Sequence, residues 1–244
     1  MGKNKLISFA DGRFANRAPT FFKEAKLINL YDEINIYNFN KLSTSFSEKH
    51  GDFIRNNSKG FGYWIWKPQI VLQEIQRSHP DDTITYIDIG FSINSGGRDR
   101  AREYIDIVRE SKWKMLSFSN TYREYLWTKY DLAARIGVEN RMTYMGTTQL
   151  AAGCFSLKPT SSNIDLLNEW ISISCEDNYR YLDETESKLP NHKQFIEHRH
   201  DASISSLLRK KRGTTVTHYE VQKYDNEFEK SKLSFPFYAH RLTK

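Results

Sequence analysis

Cysteine is nearly absent from this chain of 244 residues, which carries only Cys154 and Cys175. Two thiols in segments that read as buried do not make a disulfide framework, so a reducing compartment is expected, with both side chains serving as small core hydrophobes. Long apolar runs are missing as well, so neither a transmembrane helix nor a secretory signal is expected. The opening MGKNKLISFADG runs straight into a strand, and Leu6 stands where a myristoylation signal wants Ser or Thr. A cytoplasmic protein is expected, with peripheral attachment at the inner face of a membrane left open. Internal repeats, low-complexity tracts and linkers rich in Gly or Pro are lacking too, so residues 1–244 are expected to form a single domain.

Charge and aromatic residues are present in quantity. Basic residues outnumber acidic ones by 36 to 30, a net charge of +6 that suits a phosphate-bearing ligand, an anionic membrane or nucleic acid. Acids alternate with bases through most of the helical segments, so the continuous basic stripe of a nucleic-acid binder is missing and no nucleic-acid partner is expected. Aromatics at 14% exceed what a minimal core requires, and the surplus suits the lining of a groove.

The pattern along the chain is that of an α/β protein. KLISFADG (5–12) is a buried strand stopping at an Asp-Gly turn, APTFFKEAKLINLY (18–31) a helix with Pro19 in its first turn, and DEINIYNF (32–39) a second strand. This β-α-β opening predicts a mixed, mostly parallel, Rossmann-like sheet flanked by helices, with ligands at the carboxyl ends of the strands. PQIVLQEIQRS (68–78) predicts a helix feeding the strand TITYIDIG (83–90), followed by a helix near 100–111, a strand at 114–120 and a helix over 121–136 ended by Gly137. QLAAGCFSLK (149–158) reads as a strand, 161–176 as a helix capped by Ser161 or Ser162, and 200–211 as a helix. Residues 177–197 are polar and turn-rich and suit a lid or an acceptor-facing loop, and the tail 212–244 is strand-like at TTVTHY, then irregular.

Asp88 ends an otherwise apolar strand, so its carboxylate must meet water, a cation or a hydrogen-bond donor. It can cap the turn that follows, or it can supply oxygen to a Mn²⁺ or Mg²⁺ bridging a nucleotide diphosphate, with His240 as the candidate second ligand. Arg13 and Arg17 follow the first strand, and Lys67 lies where a helix begins, at positions suited to phosphate. Tyr63, Trp64 and Trp66 would lock the backbone beside Lys67 and offer flat faces to a base or sugar. Asp201 can cap its own helix or serve a ligand. Ala152 and Gly153 allow a ring to approach the backbone closely.

The order of these motifs resembles that of the GT-A glycosyltransferases, and most nearly glycosyltransferase family 8 with similar bacterial polysaccharide-type proteins. FADGR ends the first strand, YIDIG stands in place of Asp-x-Asp, and QLAAGCFSLK, RHDASI and AHR follow in turn; KGFGYWIWKP and HRHDASISSLL look closest to the bacterial members. The resemblance covers roughly residues 5–210 and rests on the order of the motifs. It implies a GT-A-like fold and a hexosyl transfer from a nucleotide-sugar, with UDP favoured, to a glycan or lipid-linked glycan in capsule or lipopolysaccharide-type synthesis. It further implies retention of anomeric configuration. Ala10, Asp11 and Gly90 would border the nucleotide, Asp88 and His240 the metal, and Asp201 the donor sugar, with His200 tuning Asp201 by its charge. Two positions depart from the pattern: Gly90 replaces the second carboxylate and Ala202 a common Gln. These losses keep a second reading in view, a catalytically silent scaffold that binds a nucleotide-sugar or glycan.

Overall fold

A computed structural model describes residues 2–218, 220–221 and 234–243. Among the described residues eight strands are formed: β1 (Asn4–Phe9), β2 (Glu33–Tyr37), β3 (Thr83–Ile87), β4 (Ser92–Ile93), β5 (Met115–Arg123), β6 (Thr148–Leu157), β7 (Thr215–His218) and β8 (Phe237–Tyr238). Six of them make one sheet in the order β2-β1-β3-β6-β5-β7, and β4 pairs with β8 separately. β1 lies parallel to β2 and β3, and β5 parallel to β7, while β6 is antiparallel to both neighbours. The mostly parallel α/β sheet expected from the sequence is therefore present, with β6 alone running against the rest.

Alternation along the strands sends side chains into two cores, as a sheet covered on both faces requires. Ile7, Tyr86 and Phe155 pack on one face with Trp66, Ile70, Trp170 and Leu207. Leu6, Ile87 and Cys154 pack on the other with Phe21, Ala25, Tyr104 and Val108. Trp66 and Ile70 belong to the Trp66–Gln76 helix, and Phe21 and Tyr104 to the Ala18–Leu27 and Arg98–Glu110 helices. Among the described residues no helix is long and apolar enough to cross a membrane.

The chain leaves β1 for β2 on one side and returns for β3 on the other. Such a reversal opens a crevice at the carboxyl ends of the two central strands. Phe9 and Ile87 end those strands, so the Asp11 turn and Asp88 both emerge there.

Two local expectations are corrected. The helix expected over 121–136 is not continuous: β5 runs through Arg123, the turn Glu124–Trp127 follows, and the helix proper is Tyr130–Ile136. Pairing of Ser119 with Leu150 and Arg123 with Thr148, across register shifts, keeps 119–123 in the sheet. Gly137 does end the helix, at φ 78° in the left-handed region that Gly tolerates. The Ser161–Tyr179 helix is capped one residue earlier than expected, by Thr160, whose hydroxyl accepts from Asn163 N. The tail expectation falls partly on 219 and 222–233, outside the described residues.

Candidate functional site

Asp88 is fixed by its own backbone, which donates to Gly153 O (2.8 Å) and accepts from Phe91 N (2.9 Å). A Cβ at position 153 would lie 2.7 Å from Asp88 Oδ2 and 2.9 Å from the Phe91 ring, so the side-chain-free position is what makes room for the carboxylate. The Tyr86 hydroxyl, two residues back on the same face of β3, donates to Asp88 Oδ1. Facing it is Lys67, in the first turn of the Trp66–Gln76 helix. Its Nζ lies 2.6 Å from Asp201 Oδ2 and 3.4 Å from Asp88 Oδ1. One ammonium thus joins two carboxylates that the sequence presents as unrelated.

Burial separates the three groups. Lys67 and Asp201 are only 2% and 4% exposed, whereas a third of the Asp88 side chain reaches the crevice. Burial pushes the Asp201 carboxyl up to about 6, against the pull of Lys67, and the nearby Asp88 charge adds to the rise. Burial likewise opposes charge on Lys67, but Asp201 and Asp88 outweigh it and hold the ammonium above its ordinary value. Tyr86 is pushed well above the ordinary phenol range, by burial first and Asp88 second, and stays a donor.

Above this floor opens a cavity of about 600 Å³. Phe9, Phe61, Trp64 and Trp66 form its aromatic wall, Ala152 and Gly153 its small-residue side, and Arg13 and Arg241 stand among its other lining residues. The wall depends on an unusual turn. Gly60, Phe61, Gly62, Tyr63 and Trp64 all have positive φ, between 53° and 77°, and Trp64 N closes an i to i−4 bond on Gly60 O. Such a left-handed turn is unfavourable for L-residues, and strain of this kind collects at binding sites. It is stabilised by Trp66 Nε1, which donates to Gly60 O (3.0 Å), and by Trp66 stacking on Phe9 at 3.8 Å between centroids. Trp64 and Trp66 line the cavity. Tyr63 instead turns to Phe53 and His200.

The structure brings Asp11, Arg13, Lys67, Asp88, Gly90, Ala152, Gly153, His200 and Asp201 to one cavity. Asp11 acts there as a turn cap, accepting from Gly12 N and Phe39 N. Ala10 is buried, and its N–H donates to Tyr37 O. Arg17 is fully buried away from the phosphate position expected of it, because its guanidinium donates to Glu24 (2.6 Å) and to Phe91 O (2.9 Å). His200 donates from Nδ1 to Leu182 O (2.8 Å), and burial lowers it to about 4. It is therefore neutral at physiological pH, and the charge influence on Asp201 expected of it is absent there. His240 is held by Ser92 Oγ, 2.7 Å from its Nδ1.

Arg241 and Phe61 were not anticipated from the sequence, and nothing in the local pattern marks them. Tyr86 could have been found, since a hydroxyl two residues before Asp88 on a strand must share its face. The 177–197 segment is not a free flap at its start. The buried Lys129 ammonium donates to the carbonyls of Arg180, Asp183 and Thr185.

A divalent ion needs several oxygen or imidazole donors together. Among the described residues no group of three or more His, Cys, Asp or Glu is so arranged. Of the two donors expected, Asp88 already faces an ammonium and a hydroxyl, and His240 Nδ1 is taken by Ser92. The position of a second carboxylate is crowded: a Cβ on Gly90 would come within 3.2 Å of Arg241 Cα. These side chains do not fit a resident divalent ion.

No family model matches the chain, and no curated protein does. Several solved structures are similar to it, two of them as follows. One is a glycosyltransferase involved in the glycosylation of the major capsid of PBCV-1, with TM-score 0.53 and 9% identity over 97% of this chain and 91% of that one. The other is mouse xyloside xylosyltransferase 1 in its apo form, with TM-score 0.48 and 10% identity over 98% and 97%. The first likeness is one of fold, and the fold is the GT-A-like α/β arrangement that the order of the motifs implies.

Proposed function

We propose that the chain is one catalytic unit over residues 1–244, a hexosyltransferase that moves a sugar from a nucleotide-sugar, UDP favoured, to a glycan or lipid-linked glycan. Capsule or lipopolysaccharide-type polysaccharide is the product class, made in the cytoplasm at the inner face of a membrane. The observation that carries this reading is the cavity itself: a carboxylate–ammonium–carboxylate floor beneath an aromatic wall, at the carboxyl ends of the central strands of a GT-A-like sheet. Trp64 offers a flat face to a base or sugar, while Ala152 and Gly153 leave room for a ring against the backbone. Asp201 would hold hydroxyls of the donor sugar, and Lys67 would keep that carboxylate ionised and in place.

In the transfer, the bond from the anomeric carbon to the diphosphate oxygen breaks, with its electron pair leaving on the diphosphate. The acceptor hydroxyl oxygen bonds to that carbon, and its proton passes to the departing diphosphate oxygen. Positive side chains beside the diphosphate favour the charge that develops there.

A catalytically silent donor-binding scaffold is the second reading. One observation favours it: the Asp201 carboxylate is already ion-paired in a dry position. Release of nucleoside diphosphate from a panel of nucleotide-sugars, with and without oligosaccharide acceptors, tests both readings. Turnover that falls at least about a hundredfold in Asp201→Asn supports catalysis. Binding without release in the wild type would sustain the scaffold instead.

A further inference from the structure

The end of the chain returns to the cavity. β8 pairs with β4, Leu242 N donates to Gly90 O (2.8 Å), and Ser92 Oγ holds His240. These contacts clamp Arg241 at the crevice with left-handed backbone (φ 56°), its side chain exposed and lining the cavity. The backbone of Arg241 lies within 3.2 Å of where a Cβ at position 90 would stand. On the floor, Lys67 Nζ carries three protons and meets two carboxylates, which leaves one proton for a ligand oxygen. Asp88 and Asp201 against Lys67 give the floor one net negative charge; around it Arg13, Lys59, Arg199 and Arg241 face Asp11 and Glu197, so the lining as a whole carries one net positive charge. The cavity is therefore net cationic before any ion is added.

Resting on the reading of this cavity as a nucleotide-sugar site, we infer that the donor's diphosphate is neutralised by the chain's own cations, Lys67 from the floor and Arg241 from the segment after β8, and that donor binding requires no divalent metal. Arginine suits the second role because its planar fork meets phosphate oxygens in pairs. The arrangement also accounts for Gly90. A side chain there would press on the backbone of the segment that carries Arg241, so the missing ligand at 90 and the arginine beside it belong to one arrangement.

The test is calorimetric titration of UDP, GDP and inorganic pyrophosphate into the full chain, once with EDTA and once with Mn²⁺. The expected result is an affinity for UDP or GDP that agrees within about twofold in the two conditions. Arg241→Ala should weaken that affinity about tenfold or more, and Arg241→Lys should restore part of it. Lys67→Met should do the same; because it strips a buried pair, Arg241→Ala on an exposed side chain is the decisive variant. Binding that appears only with Mn²⁺, or unchanged affinity in Arg241→Ala, overturns the inference and leaves the nucleotide-sugar reading standing. Absence of binding by every nucleotide in both conditions overturns the two together.

Discussion

Replacing Lys67 by Met keeps the length of the side chain and removes the ammonium that lies 2.6 Å from Asp201 and 3.4 Å from Asp88. Removing one partner of a buried ion pair costs about 3–5 kcal/mol, because the other is left uncompensated. Here the loss has a ceiling, since the stranded Asp201 can take up a proton. Keeping a carboxyl of ordinary pKa 3.8 protonated costs about 4 kcal/mol at pH 7 and under about 2 kcal/mol at pH 5. Wild type, whose own carboxyl is raised from 3.8 to about 6, already bears about 3 kcal/mol of that at pH 7. The variant should therefore lose at most about 1–1.5 kcal/mol relative to wild type near pH 7, almost nothing near pH 5, and about 2–3 kcal/mol near pH 8. For a chain of 244 residues the pH 7 figure is roughly 2–6 °C in Tm.

The sign follows from linkage. Asp201 has a raised pKa in the folded protein, so its contribution is fully present below the unfolded value and is lost as pH rises through the folded one. In the wild type that loss is complete just above about 6. In Lys67→Met, where the folded pKa climbs further, stability should go on falling above pH 6. Urea unfolding of both proteins between pH 5 and pH 8 reads the difference directly. Curves that stay parallel from pH 5 to pH 8 would refute the buried-pair reasoning.

Other positions give independent checks. Gly153→Ala places a Cβ 2.7 Å from Asp88 Oδ2, so a loss of about 1–3 kcal/mol in urea unfolding is expected, together with loss of nucleotide binding. Gly62→Ala must adopt φ 77° and meet Ile54 Cα at 2.9 Å, so its melting temperature should fall by more than that of an exposed helix substitution such as Lys26→Ala. Gly90→Asp should destabilise by about 1–3 kcal/mol through collision with the Arg241 backbone, and added Mn²⁺ should not raise its melting temperature above that of the variant alone. Ser92→Ala loses the hydroxyl that holds His240, worth about 1 kcal/mol in thermal unfolding.

The strands and the main helices were legible because each carries its own signal: an apolar run, a Pro in the first turn, a Gly at the end. Strand direction is not encoded in such runs, so QLAAGCFSLK could be read as a strand but not as the one antiparallel member of the sheet. The helix expected at 121–136 failed for a related reason. Residues 119–123 are held by partners in β6 that only the folded chain supplies. At the site, the residue types were readable and their grouping was not. Lys67 and Asp201 are 134 positions apart and meet only because their helices pack into one core on the same face of the sheet. Gly90 read as the loss of a ligand, and its meaning depends on Arg241, far along the chain. Arg17 and Arg13 look equivalent in sequence, yet a nearby Glu24 draws one into the core while the other stays at the cavity.

The most direct test of a nucleotide-sugar site is a thermal-shift comparison of wild type and Asp88→Ala with UDP, GDP, CMP and their sugars. A ligand at a hundred times its Kd should add about 2.7 kcal/mol and raise the wild-type melting temperature by several degrees. The account predicts such a rise for one nucleotide and its sugars, and its loss in Asp88→Ala. A wild type that no nucleotide stabilises would contradict it.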